Sequence, residues 1–554
     1  MAYSKKTLLG MLGIAGLLLS SCAQPSSSTG ASSSTSTSSS SAVLDEKGLT
    51  DDILDDEYRN YYEIFVYSYA DSDGDGIGDL NGITQKLSYI RSLGFTGIWL
   101  TPIFESPTYH KYNATDYFTV DSQFGTNDDL KTLVDTAHDD GIKVILDLAL
   151  NHSSTENEWF QESVNAFAKE ELGGFSLTDE EKEEASLYSL STSAATFADD
   201  GKGYQTYSTQ YGNVYYECNF GSGSDMPEFN FDSSYTWEKF ESIIAYWEQD
   251  YAVDGFRLDA VKYYYLDDTA DNITALSKIK SLADEYSLDG KAYVVGECWD
   301  SQGVIEKYYE STMDSYFWFP GQGSTGFIIA STNNTGTNNK ALATGQAAMG
   351  EASGSNISAP FLDNHDTSRF SGANASTNKF RYGLLSTLSG NTFTYYGDEI
   401  GINGSGDSDA NYRTYMDWGD GMETNGAPNG TATYPFGSVA DQQDDPDSIL
   451  NYVKKANEIR NALPGIARGS QASYEKIGKR GLVIDKTYTG QDIQIVYNYS
   501  DTDNLDFTPD SGYEFYYALT ASKADNDSGI YGGVAEGEDG SYVIPPLGIG
   551  YFVD

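Results

Sequence analysis

From Tyr61 onward the chain alternates between short apolar runs and longer stretches in which apolar residues recur at helical spacing. The runs at Glu63 to Tyr67, Gly97 to Leu100, Val144 to Leu148, Gly255 to Leu258, Ala292 to Gly296, Asp314 to Phe317, Pro360 to Leu362 and Phe393 to Tyr396 predict strands. Segments such as Leu130 to Asp140 and Trp237 to Trp247 predict helices between them. Strand and helix in regular alternation predict a parallel sheet, and eight repeats of the unit predict an α/β fold of the (β/α)8 TIM barrel class. The connection after the third strand is too long for a plain loop, so residues 153–232 are read as an inserted domain, leaving 57–152 and 233–464 as the barrel. Past Pro464 the pattern changes to period-two alternation with turn signals, as in GLVIDKTYTGQDIQIVYNYSD, which predicts a C-terminal antiparallel β-sandwich over 465–554.

The first residues follow a different rule. Lys5 and Lys6 precede an apolar stretch from Leu8 to Leu19 that is too short to cross a bilayer, the pattern of an export signal over 1–21. Leu19-Ser20-Ser21-Cys22 resembles a bacterial lipobox, which makes Cys22 the expected lipidation site. The Ser/Thr-rich stretch within 22–56 is expected to be a tether holding the body off the outer face of a bacterial membrane. With a net charge of −50, the body is expected to touch neither nucleic acid nor an anionic lipid surface, and neutral substrates are its natural partners. Only Cys218 and Cys298 remain in the body, so no disulfide framework is indicated. A monomer is expected.

Chemistry concentrates at the ends of predicted strands. Asp259, Glu297 and Asp366 close the runs GFRLD, AYVVGE and APFLDNHD, where a parallel barrel carries its active site. The chain has only 4 histidines, and His152 and His365 fall in two such strand-end motifs. Near the first strand, DSDGDGIGD places Asp71, Asp73, Asp75 and Asp79, with the Ile77 carbonyl, in an oxygen-rich loop suited to Ca2+. It follows an EF-hand loop through the ninth position, but Gly82 stands where the closing Glu belongs, so the EF-hand reading fails.

The ordered motifs DLALNH (147–152), MPEFN (226–230), GFRLDAVKY (255–263), GECW (296–299) and FLDNHD (361–366) resemble glycoside hydrolase family 13, the α-amylase family, across nearly all of the chain from Tyr61. That resemblance implies Asp259 as nucleophile, Glu297 as general acid then base, and Asp366 as the carboxylate that binds hydroxyls of the distorted sugar. Arg257 would keep Asp259 ionised. His152, His365, Tyr112 and His110 would surround the glucose in the cleaved position, with Asp409 and Arg413 as a clamp on its non-reducing side. Lys262 would meet the leaving-group side, and Trp299 is counted among the substrate-binding residues. A structural Ca2+ in the Asp71 to Asp79 loop is implied as well, while Tyr263, standing where many α-amylases carry His, leaves a second calcium open. MPEFN and Trp299 resemble members with neopullulanase-like breadth. The expected activity is retaining hydrolysis of α-1,4 bonds in starch and maltooligosaccharides, with pullulan and cyclodextrins as further candidates. A 4-α-glucanotransferase, an α-1,6-glucosidase and a non-catalytic glucan-binding surface protein stand as alternatives.

Overall fold

The computed structural model describes residues 54–220, 225–332, 339–372, 374–521, 535–536 and 540–554, all within the unit Leu49–Asp554. The export signal, Cys22 and nearly all of the tether lie outside the described residues.

Eight parallel strands form one sheet: β1 (Asn60–Ile64), β2 (Gly97–Leu100), β3 (Lys143–Leu148), β4 (Gly255–Leu258), β5 (Tyr293–Gly296), β6 (Ser315–Phe317), β7 (Ile357–Ala359) and β8 (Thr392–Tyr395). Each pairs with its neighbour in chain order, and β8 pairs with β1. Between β7 and β8 the ring closes through a parallel bridge, Phe361 to Phe393, supported by Asn391 N–H to Ser358 O at 2.8 Å and Phe393 N–H to Pro360 O at 3.0 Å. The arrangement is a (β/α)8 barrel. Its interior is packed with aromatic rings: Tyr61 stacks on Tyr293 and Phe393 at 5.1 and 4.8 Å, and Phe317 meets Phe393 at 4.8 Å.

Two strands lie away from their expected positions. β1 starts at Asn60 rather than Glu63, because Asn60, Tyr61 and Tyr62 are buried and the chain turns into a short helix, Val66–Tyr69. β7 ends at Ala359, before Pro360, whose missing N–H cannot extend a ladder. The two expected helices are found as Asn127–Asp139, begun by a Thr126/Asp129 capping box, and Ser234–Ala245, which runs on as a π-helical turn, Tyr246–Asp250. Gly255 opens β4 at φ 140°, and a Cβ there would stand 1.9 Å from the Tyr293 carbonyl oxygen. Only glycine fits that close approach of β4 to β5.

Between β3 and β4 the chain builds helices Glu158–Glu171, Asp179–Ala185 and Ala194–Asp199 and a small antiparallel sheet of Leu190–Ser191, Gly212–Glu217 and Tyr204–Thr209. A bridge from His152 to Glu228 ties this segment to the barrel's rim, and one from Tyr188 to Phe229 lies within the segment. After the helix Ile449–Ala462, an antiparallel five-stranded sheet and a three-stranded sheet complete the fold. Alternate residues of the larger sheet divide between two environments. Val483, Val496 and Phe552 pack with Phe507 and Ile544 of the smaller sheet, while Leu482, Ile484, Ile495 and Tyr551 join the barrel's core. Lys486 lies on the barrel side with Leu482 and Ile484, its buried Nζ donating to the carbonyls of Thr387 at 2.7 Å and Ile466 at 2.6 Å. Cys218 and Cys298 are buried and no disulfide joins them. Among the described residues, no helix is long and apolar enough to cross a membrane.

Candidate active site

The C-terminal ends of the barrel strands gather the three acids picked out in the sequence. Arg257 is the hub. It lies within β4 with no solvent exposure, and its Nη1 reaches Asp259 Oδ1 at 2.7 Å and Asp147 Oδ1 at 2.9 Å while Nη2 lies 3.1 Å from Glu297 Oε2. Asp147 comes from β3, Asp259 directly follows β4 and Glu297 directly follows β5, so one guanidinium joins three neighbouring strand ends. A fork of fixed donors suits this task as a lysine could not.

The carboxyl groups differ in what surrounds them. Asp259 Oδ1 is occupied by Arg257, whereas its Oδ2 is buried without a hydrogen-bond partner. Burial pushes Asp259 up to about 6, with Asp147 and Asp366 adding to the rise and Arg257 opposing it. Burial likewise pushes Glu297 up to about 7, helped by the charges on Asp259 and Asp366 and restrained by Arg257 and the Ala260 N–H, which donates to Oε2 at 3.1 Å. Ala260 adopts φ 50°, an uncommon conformation that aims this amide at Glu297. Asp366 is more open, its side chain 28% exposed. Burial works against its charge, but His365 and Arg413 outweigh it and hold the carboxyl well below the usual carboxylate range. Arg413 Nη2 donates to Asp366 Oδ1 at 2.5 Å and His365 Nε2 lies 3.0 Å from Oδ2.

Around these acids the remaining residues sort into two groups. Tyr112, His365, Arg413 and Asp409 are brought to Asp366. The Tyr112 hydroxyl donates to Asp147 Oδ2 at 2.9 Å and lies 2.7 Å from His365 Nε2, and the two rings stack at 5.6 Å. Arg413 also donates to the His365 carbonyl at 3.0 Å, and its Nη1 lies 2.6 Å from Asp409 Oδ2, with Tyr109 OH bridging to the same carboxylate at 3.2 Å. His110 sits beside them, its Nδ1 accepting from the Tyr112 N–H at 3.2 Å, and burial lowers it to about 4.

His152 is placed differently. Its ring is fully buried, stacked on Phe220 at 5.2 Å, with Nε2 3.2 Å from the Tyr112 carbonyl, and burial lowers it to about 4. Lys262 and Trp299 lie on the rim past Glu297. Lys262 pairs with Asp300 at 2.9 Å and donates to the Trp299 carbonyl, while the Trp299 ring, 45% exposed, stacks on Phe319 at 4.9 Å.

Sequence reasoning missed Asp147 and Glu63. Each is an ionisable residue inside an otherwise apolar strand run, VILDLAL and YYEIF, and such a residue requires a buried partner. That requirement was the available signal.

In the acidic loop, carboxylate oxygens of Asp71, Asp73 and Asp79 all lie within 4.8 Å of one another. Asp75 stays outside this group, its Oδ1 accepting from the Ile77 N–H at 2.7 Å. Asp79 also caps the helix Leu80–Ser92 through the Gly82 N–H at 2.7 Å.

The model of the α-amylase catalytic domain matches residues 63–469. The chain belongs to the α-amylase family. Members of this family are glycoside hydrolases, and the chain is therefore an enzyme of that type. Alpha-amylase 3 of Dictyoglomus thermophilum is 32% identical over 462 residues, covering 81% of this chain and 86% of the relative. The α-amylase SusG of Bacteroides thetaiotaomicron is 26% identical, covering 74% and 79%. Among solved structures, Amy13B of Eubacterium rectale superimposes with a TM-score of 0.79 at 32% identity, covering 91% of this chain and 96% of that one.

Proposed function

We propose that the chain is a retaining α-glucan hydrolase that cleaves α-1,4-glucosidic bonds in starch and maltooligosaccharides. The observation that carries this reading is the sharing of one buried guanidinium by Asp259 and Glu297, which places two carboxyls side by side. Retention requires such a pair, one group attacking the anomeric carbon while the other transfers a proton to the departing oxygen. Asp259 Oδ2, buried and unpartnered, is the attacking atom. Arg257 holds the other oxygen, so the side chain presents a single fixed lone-pair direction. Glu297, held near neutrality, keeps a proton for the glycosidic oxygen and afterwards takes one from water. Asp366, ionised and clamped by Arg413 and His365, receives the sugar hydroxyls and favours the positive charge that develops on the ring. The α-amylase relatives support an α-glucan as substrate.

The test is Asp259→Asn. Starch hydrolysis should fall by a factor of about 10³ or more while starch binding persists. Undiminished turnover refutes the nucleophile assignment. Products longer than the starting maltooligosaccharide would identify a glucanotransferase instead, and release of a β-configured reducing end would refute retention.

The Asp71, Asp73 and Asp79 oxygens, with the Ile77 carbonyl, are proposed to hold a structural Ca2+. An all-oxygen donor set suits that hard cation. An outward-facing, lipid-anchored enzyme is also proposed, supported by Lys5, Lys6, the apolar run to Leu19 and Cys22. Mass spectrometry of the mature N-terminus tests it, an unmodified Cys22 counting against the anchor.

A further inference from the structure

Glu63 lies at the bottom of the site on β1, 1% exposed, facing no solvent and no arginine or lysine within hydrogen-bonding distance among the described residues. Its Oε1 accepts twice from the same residue, from His365 Nδ1 at 2.6 Å and from the His365 backbone N–H at 3.2 Å. A buried carboxylate needs a cationic or multiply donating partner, and His365 is the one present.

The other side of the imidazole fixes its protonation by hydrogen-bond bookkeeping. Nε2 lies 3.0 Å from Asp366 Oδ2, an oxygen that can only accept because the Arg413 guanidinium, 2.5 Å from Oδ1, keeps Asp366 ionised. Nε2 also lies 2.7 Å from the Tyr112 oxygen, whose single proton is directed to Asp147 at 2.9 Å, so there too the ring must donate. Both ring nitrogens therefore carry hydrogen. We propose that Glu63 is a positioning residue: it keeps His365 doubly protonated across the working pH range, and His365 in that form orients Asp366 and Tyr112 toward the sugar. This inference rests on the role given above to Asp366.

The charges that face the imidazole come from several elements. Glu63 on β1 and Asp366 after β7 favour its charge, as does Asp147 on β3 across the Tyr112 hydroxyl. Arg257 on β4 and Arg413 after β8 oppose it, while the nearby His110, lowered to about 4 by burial, is neutral in this range. Trp99 and Phe65 contribute only rings, at 5.7 and 6.2 Å. Burial works against the charge, and Asp366 and Glu63 outweigh it, pushing His365 up to about 10. A neutral amide in place of Glu63 removes one of those two supports and leaves the shape almost unchanged.

The experiment is a histidine-selective NMR titration of the full-length enzyme and of Glu63→Gln, read beside the pH dependence of kcat/KM on a maltooligosaccharide. With only 4 histidines, the His365 signal is assigned by the spectrum of His365→Asn. In the wild type, His365 is expected to keep the imidazolium shift throughout pH 6 to about 8.5. In Glu63→Gln its midpoint should fall by about two pH units or more, into the titrated range, and kcat/KM should lose about ten-fold at the alkaline end of that range. A neutral His365 in the wild type at pH 7 overturns the proposal without any variant, which covers the case in which Glu63→Gln fails to fold. A shifted midpoint with an unchanged pH profile and rate overturns the positioning role. A wild type inactive on every α-glucan would defeat the functional reading while the titration still reports on Glu63 and His365.

Discussion

Replacing Arg257 with methionine removes the group that three buried carboxyls share while filling much of its volume. Arg257, Asp147 and Asp259 are at most 3% exposed, and Glu297 is 7% exposed, so none of them can turn to water when the guanidinium is lost. Breaking a buried pair by deleting one partner costs about 3–5 kcal/mol. The unit Leu49–Asp554 has about 500 residues, and an unfolding entropy of ~2.1 cal/mol/K per residue makes each kcal/mol worth about one degree. The expected loss at neutral pH is therefore about 3–5 °C in the unfolding midpoint. That loss should depend on pH in a definite direction. Arg257 is the main influence lowering Asp147, Asp259 and Glu297 against the upward push of burial, so without it all three rise further. A carboxyl whose folded-state value lies above its unfolded value gives stability that is intact at low pH and is lost as pH rises through the folded value. The difference between wild type and Arg257→Met should accordingly be small at pH 5 and widen toward pH 8. Calorimetry at a series of pH values, with hydrolysis assayed in parallel, measures both effects. A decrement that stays constant from pH 5 to 8, or a variant that keeps the wild-type rate, would refute the shared-guanidinium argument.

Two further outcomes are expected. The kcat/KM profile should be bell-shaped, with an acid limb near 6 and an alkaline limb near 7 that belong jointly to Asp259 and Glu297; Glu297→Gln should abolish the alkaline limb and cost about 10²–10⁴ in rate. An alkaline limb that persists in Glu297→Gln would contradict the acid assignment. Chelation should lower the unfolding midpoint, Ca2+ at about 100 times its Kd should restore about 2.7 kcal/mol, and Asp73→Asn should flatten this response; a midpoint indifferent to Ca2+ in the wild type would dismiss the metal site.

The barrel and its three acids were readable because each acid ends an apolar run, and a parallel barrel allows only one face for such residues. Periodicity also located the helices, although it could not mark the π-helical turn at Tyr246–Asp250, since one extra residue in a turn leaves no trace in the pattern. The start of β1 was missed for a different reason. Asn60, Tyr61 and Tyr62 look amphipathic in isolation, and only the ring of neighbouring strands buries them. Asp75 illustrates the reverse case: four aspartates in the loop suggest four equivalent carboxylate ligands, but of these Asp71, Asp73 and Asp79 bring oxygens within 4.8 Å of one another and Asp75 stays outside. His152 occupies the strand end that its motif announces, yet Phe220, supplied from 68 positions downstream, decides which way its ring faces. Partners brought by distant segments are invisible to local pattern, and Glu63 with His365, 302 positions apart, is the extreme example.

The seam between β7 and β8 has one bridge supported by two backbone hydrogen bonds, and Arg413, which follows β8, reaches back to His365 and Asp366, which follow β7. The same side chain that clamps Asp366 thus also laces the staves of the cylinder. Occupancy and mechanical closure become one thermodynamic quantity: a tightly held oligosaccharide should slow deuterium uptake at Asn391 and Phe393, and whatever loosens that edge weakens the grip from below.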